Sequence, residues 1–233
     1  LGSDGSKGEY ASKEMIQAHD GLFGMESQMW ERIKDNNLDY AEENLGAFQE
    51  PMSVIEQEEA LKLYDAGADI YLITNFSSPM YVTERMEIER GPEHYQMSMT
   101  ELERFRNLEW KMQKYPQIQS LKEANLLLGT RRVFGIYQIR DDSPGENYAF
   151  MNMSFIESHG MQIKKEDYKL VYVGELSGNM SLDDIFERFN IDRPEDFRGH
   201  SLSVSDIVVL NDGEKVTAHF VDSISFEQLD SFL

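Results

Sequence analysis

The 233-residue chain contains no cysteine. That absence excludes a disulfide framework, a thiolate nucleophile and any cysteine-ligated zinc or iron–sulfur centre. It fits a reducing compartment, and a cytoplasmic location is the expectation. Basic residues are scarce: 22 Lys and Arg stand against 43 Asp and Glu, and the resulting net charge of −21 is spread along the chain. With no basic stripe visible, direct binding to nucleic acid or to an anionic membrane is not expected. No apolar run approaches the roughly 18–20 residues of a membrane span. The familiar chemical motifs are missing as well. There is no Walker loop, Gly-x-Gly-x-x-Gly turn, Gly-x-Ser-x-Gly elbow, His-Glu-x-x-His helix or EF-hand loop, and His19, His94, His159, His200 and His219 are isolated from one another. The sequence therefore assigns no catalytic residue, no metal and no cofactor.

What is present suffices for packed cores, since 40% of the residues are apolar and 11% aromatic. Residues 1–11 read as a flexible terminus or an expression remnant. Residues 12–51 read as an amphipathic helical arm. In its first helix Met15, Leu22 and Met29 recur every seven residues, as do Ile16, Phe23 and Trp30, and Ile33 extends the face. Such a face packs on its own domain or serves as a partner-binding surface. A second short helix, from Leu38 to Phe48, completes the arm.

Residues 53–129 read as a helix–hairpin–helix unit. Ser53–Glu56 has capping-box form and opens a helix to about Ala66. Strands are predicted at Asp69–Thr74 and Met80–Glu87, joined by a loop through Asn75–Pro79. Capping boxes at Thr100 and Ser120 predict two further helices, the first broken by Pro116 and the second ended by Gly129.

Residues 132–233 read as an α+β unit with a mainly antiparallel sheet and short helices. Val133–Ile139 carries apolar residues on both faces, which predicts a central strand. Tyr168–Val173 is a second strand, Ser154–His159 a helical turn with a Ser154/Glu157 box, and Ser181–Asn190 a helix. Leu202–Leu210 holds a third strand, and Asn211–Gly213 turns it into Val216–Val221.

The connection Arg193–Leu210 has the densest polar chemistry in the chain. Pro194 fixes its entry, and Gly199 is expected to take a backbone conformation that other residues resist. If Leu202 already lies in a strand, Ser201, Ser203 and Ser205 share one face beside Arg198 and His200. Arg193, Arg198, His200, Ser201, Ser203, Ser205, Asp206 and His219 are the candidate binding residues, for a phosphate, a nucleotide or an acidic peptide. The bland alternative is a turn that satisfies its own backbone groups.

Phe134–Ile139, Tyr168–Leu176, Asp184–Asn190, Arg193–Leu210 and Thr217–Phe226, in that order, resemble the YodL-type domain of clostridial mobile elements. Glu59–Leu72 is similar to the large-polyvalent-protein-associated domains that neighbour it. The resemblance implies an accessory protein of a mobile genetic element acting in the cytoplasm, and it implies no reaction. Two functions remain open. One is a non-enzymatic interaction protein that binds a protein partner, related to counter-defence or conjugation, with its acidity serving solubility or DNA mimicry. The other is a small-ligand or nucleotide-binding domain, or an uncharacterised enzyme, using the Arg193–Asp206 loop.

Overall fold

A computed structural model describes residues 27–35, 37–38, 48, 50–74, 79–194 and 197–233, with the side chains of 27–29 left aside. The class is α+β, as expected, and the chain divides after Trp110 into two compact units.

In the first unit, helix α1 (Ser27–Asp35) precedes strand β1 (Met52–Glu56) and helix α2 (Gln57–Asp65). Strands β2 (Tyr71–Leu72) and β3 (Met80–Tyr81), helix α3 (Arg85–Glu89), strand β4 (His94–Ser98) and helix α4 (Met99–Met112) follow. The strands form an antiparallel sheet in the order β1–β4–β2–β3.

Three expectations change here. Ser53–Glu56 does not open a helix. It pairs with β4 from Met52 opposite Ser98 to Glu56 opposite His94, and only then does α2 begin, with Glu56 making no side-chain cap. Met80–Glu87 is a strand for two residues only, because Glu84 and Glu87 form a reciprocal capping box that starts α3. His94–Ser98, unassigned in the sequence, lies inside the sheet, with Tyr95 and Met97 fully buried. The loop expected at Asn75–Ser78 and most of the helix expected from Leu38 lie outside the described residues.

The second unit begins with helix α5 (Leu121–Leu128), capped as expected by Ser120, whose hydroxyl accepts from the Glu123 amide at 3.1 Å. Strand β5 (Val133–Ile139), helix α6 (Met153–Ser158), strand β6 (Tyr168–Glu175), helix α7 (Leu182–Ile191) and strands β7 (Ile207–Asn211), β8 (Val216–Val221) and β9 (Phe226–Gln228) complete it. The sheet is antiparallel throughout, in the order β6–β5–β7–β8–β9. β5 is interior, as its two apolar faces predict. α6 is capped by Asn152 rather than by a Ser154/Glu157 box. α5, expected to close the preceding unit, packs on this sheet instead. Leu126 sits over Gly135, where a Cβ would come within 2.3 Å of the leucine Cδ2.

Alternation along β5 builds both sides of the core. Val133 and Tyr137 join Leu126, Met153, Ile156, Val209, Phe220 and Phe232 on one face. Phe134 and Ile136 join Ile185, Phe189, Phe197, Leu202 and Val208 on the other, beneath α7. Burying a side chain such as Phe134 or Phe189 contributes about 1.5–3 kcal/mol. α7 is held at its start by Ser181 and Asp184, each side chain accepting from the other's backbone N–H.

Candidate functional site

The β5–β7 ladder ends at Tyr137 opposite Ile207, and one step further Gln138 faces Asp206. Gln138 is the polar residue in this apolar strand and is 1% exposed. A buried amide must be partnered, and every atom of this one is. Its Nε2 donates to the His200 carbonyl at 2.9 Å and to Asp206 Oδ2 at 3.0 Å, and its Oε1 accepts from the His200 amide at 3.1 Å.

Asp206, 2% exposed, shapes the approach to β7. Its Oδ2 also accepts from the Ser203 amide at 2.9 Å, while its own amide donates to the Ser203 carbonyl at 3.0 Å. The result is a tight turn over Ser203–Asp206 where a strand was expected. Within it Ser205 has φ +76, in the left-handed region that costs a non-glycine residue about 1 kcal/mol or more. Three bonds hold it there. Its amide donates to the Val221 carbonyl at 3.0 Å, its carbonyl accepts from Tyr168 Oη at 3.0 Å, and its Oγ accepts from the Phe150 amide at 2.8 Å. Phe150 has φ +62, so two left-handed non-glycine residues are joined by one hydrogen bond.

His200 completes the frame. Its Nδ1 lies 2.8 Å from the Ser201 carbonyl and 3.0 Å from Gln138 Nε2. Nε2 faces Asp206 Oδ1 at 3.7 Å, too far for a hydrogen bond. Among the described residues no donor reaches Oδ1. Burial pushes the Asp206 carboxyl up to about 7, against the opposing pull of His200, the Ser203 amide and Gln138.

These groups line a cavity of about 270 Å³. Phe150, 61% exposed, forms one wall, its ring centroid 5.4 Å from that of His200. Arg198 and Glu146 are also on the wall, with Arg140, Lys169 and Asp141. Arg140 is engaged by Asp142 through two bonds of 3.1 Å, and Lys169 stands 3.6 Å from Asp141. Gly199 passes close over Gln138. A Cβ there would lie 2.2 Å from Gln138 Oε1 and 2.7 Å from the Phe197 ring, so space and not an unusual φ demands the glycine. Two larger hollows, each about 640 Å³, adjoin through Arg140. Their buried acids already hold internal partners: Asp167 accepts from Tyr148 Oη at 3.0 Å, and Glu123 accepts from Tyr137 Oη at 2.8 Å and pairs with Lys165 at 2.9 Å.

Of the expected site residues, Arg198, His200, Ser205 and Asp206 meet at the cavity. Ser201 and Ser203 support it through backbone atoms, and Ser203 Oγ donates to the Ser201 carbonyl at 2.7 Å. The three serines form no stripe, since Ser203–Asp206 turns. Arg193 is exposed and off the lining, and His219 lies on β8 with its Nε2 2.9 Å from Thr217 Oγ1. Burial lowers the His219 pKa. No nucleophile–base pair forms here: Ser205 Oγ is held by Phe150, and the His200 nitrogens face Ser201 and Asp206. Among the described residues no three acidic or histidine side chains gather to hold a metal ion. Gln138, Phe150, Arg140, Glu146 and Lys169 were not anticipated. A glutamine inside an otherwise apolar strand was the available signal for the first. Of the predicted partner-helix face, Met15, Ile16, Leu22 and Phe23 lie outside the described residues, as does the Met29 side chain, while Trp30 and Ile33 are buried at 1% and 2% exposure.

The second unit is thus an antiparallel five-stranded domain with a polar cavity at the end of its interior strands. Residues 133–232 match the family model of the YodL-like domain. No curated protein and no solved structure matches the chain. No described helix is long and apolar enough to cross a membrane.

Proposed function

We propose that this chain is a non-enzymatic accessory protein of a mobile genetic element that acts in the cytoplasm, and that its YodL-like domain is a recognition module. The module takes a small polar group of a partner into the His200–Asp206 cavity. One observation carries the reading: Asp206, a residue only 2% exposed, lines an open cavity, and no described donor reaches its Oδ1. A ligand that supplies a donor there gains a charge-assisted hydrogen bond in partly desolvated surroundings. The strained Phe150–Ser205 link supports it, because strain of this kind gathers where a surface is held ready for a ligand. The mobile-element context rests on the family resemblance.

The test is amide-detected NMR of the full chain against a panel of small amines, carboxylates, phosphates and nucleotides. A binder should move the resonances of Gln138, Phe150, His200 and Asp206 together. A panel that leaves all four unmoved, or a turnover of any panel member that is lost in Asp206→Asn, overturns the reading.

A further inference from the structure

We infer that the group received by the cavity is a cationic amine, the ammonium of a lysine side chain or of a free alkylamine. This rests on the recognition reading above and specifies its chemistry. Asp206 Oδ1 accepts no hydrogen bond from a described residue, and His200 Nε2 stands 3.7 Å from it, beyond hydrogen-bond length. A nitrogen standing beside that gap reaches Oδ1 at ordinary hydrogen-bond length, and an ammonium carries hydrogens to donate to it. Phe150 adds an exposed ring on the same cavity, the surface on which a cation is stabilised. Glu146 contributes a further carboxylate to the lining. Arg140 and Lys169, the cations that would oppose an ammonium, already face Asp142 and Asp141. At long range the net charge of −21 draws a cationic group in and repels an anionic one.

Arg198 makes the inference sharp, because it lines the same cavity. An ammonium makes no bond to the Arg198 guanidinium, so Arg198→Ala should not weaken its binding. For an anion site the same substitution should weaken it.

The experiment is calorimetry at pH 8 with the full chain, using spermidine as the free amine and a lysine-containing basic peptide as the protein-borne one. Asp206→Asn is the isosteric control. Its amide oxygen keeps the Ser203 and Gln138 bonds, while its NH2 replaces Oδ1. Binding should weaken about tenfold or more in Asp206→Asn and should not weaken in Arg198→Ala. Preference for the peptide over spermidine identifies a protein partner, and the reverse a free amine. Equal affinity for wild type and Asp206→Asn, weaker binding in Arg198→Ala, or no heat with either amine up to about 10 mM overturns the inference. Cavity resonances that move with phosphate or carboxylate and not with amines overturn the amine alone and keep the recognition site. Cavity resonances that move with nothing remove both.

Discussion

Asp206→Asn should remove the loss of stability that the second unit suffers as this carboxyl ionises, and the size of the effect follows from burial. An ordinary aspartate titrates near 3.9, whereas Asp206 is pushed up to about 7 by desolvation. At about 1.4 kcal/mol per pH unit the difference corresponds to about 4 kcal/mol. Because the folded pKa is the raised one, the protonated carboxyl favours the folded state. Its contribution is complete below about pH 4 and is lost as the pH climbs through about 7. Asparagine keeps the bonds from Ser203 and Gln138 and carries no proton to lose, so the variant should gain about 4 kcal/mol on wild type between pH 4 and pH 8. Both tryptophans, Trp30 and Trp110, belong to the other unit, so their fluorescence does not follow this one. Hydrogen exchange at the buried amides of Val208 and Val209 does. Parallel stability curves for wild type and variant from pH 4 to pH 8 would refute the reasoning.

Two further substitutions probe the scaffold. Gly199→Ala drives a Cβ into Gln138 Oε1 and the Phe197 ring; it should cost about 1–3 kcal/mol in chemical denaturation and shift the His200 ring resonances, while a silent outcome would mean that the glycine is not a spatial requirement. Ser181→Ala removes the capping box of α7; it should cost about 1 kcal/mol and leave the His200 resonances in place.

The framework of the second unit was legible because it is written in local patterns. Val133–Ile139 is apolar on both faces and therefore interior. Ser181 followed by Asp184 starts a helix, and Asn211-Asp212-Gly213 turns a hairpin. The first unit was harder, since Met52–Glu56 and His94–Ser98 become strands by pairing with each other across some 40 intervening residues. A Ser-x-x-Glu spacing at Ser53 cannot outweigh that ladder. At the site, His200 and Asp206 stood out as polar residues in one connection. Gln138 reaches them across sequence separations of 62–68 residues, and Phe150 bonds their neighbour Ser205 across 55, which no local pattern encodes. The expected strand from Leu202 failed for a local reason. The Asp206 carboxylate captures the Ser203 amide, and a strand cannot run through the turn that this bond closes.

The central claim is that Asp206, a buried residue, presents a carboxylate oxygen with no described donor to a cationic amine. Its most direct measurement is the carbon-13 titration of the Asp206 carboxyl in the full chain, with and without a saturating amine. The account predicts a midpoint near 7 in the free protein, in line with its burial, and a clear downward move when the ammonium binds and stabilises the ionised form. A midpoint near the ordinary value of about 4, or one that the amine leaves unchanged, would contradict it.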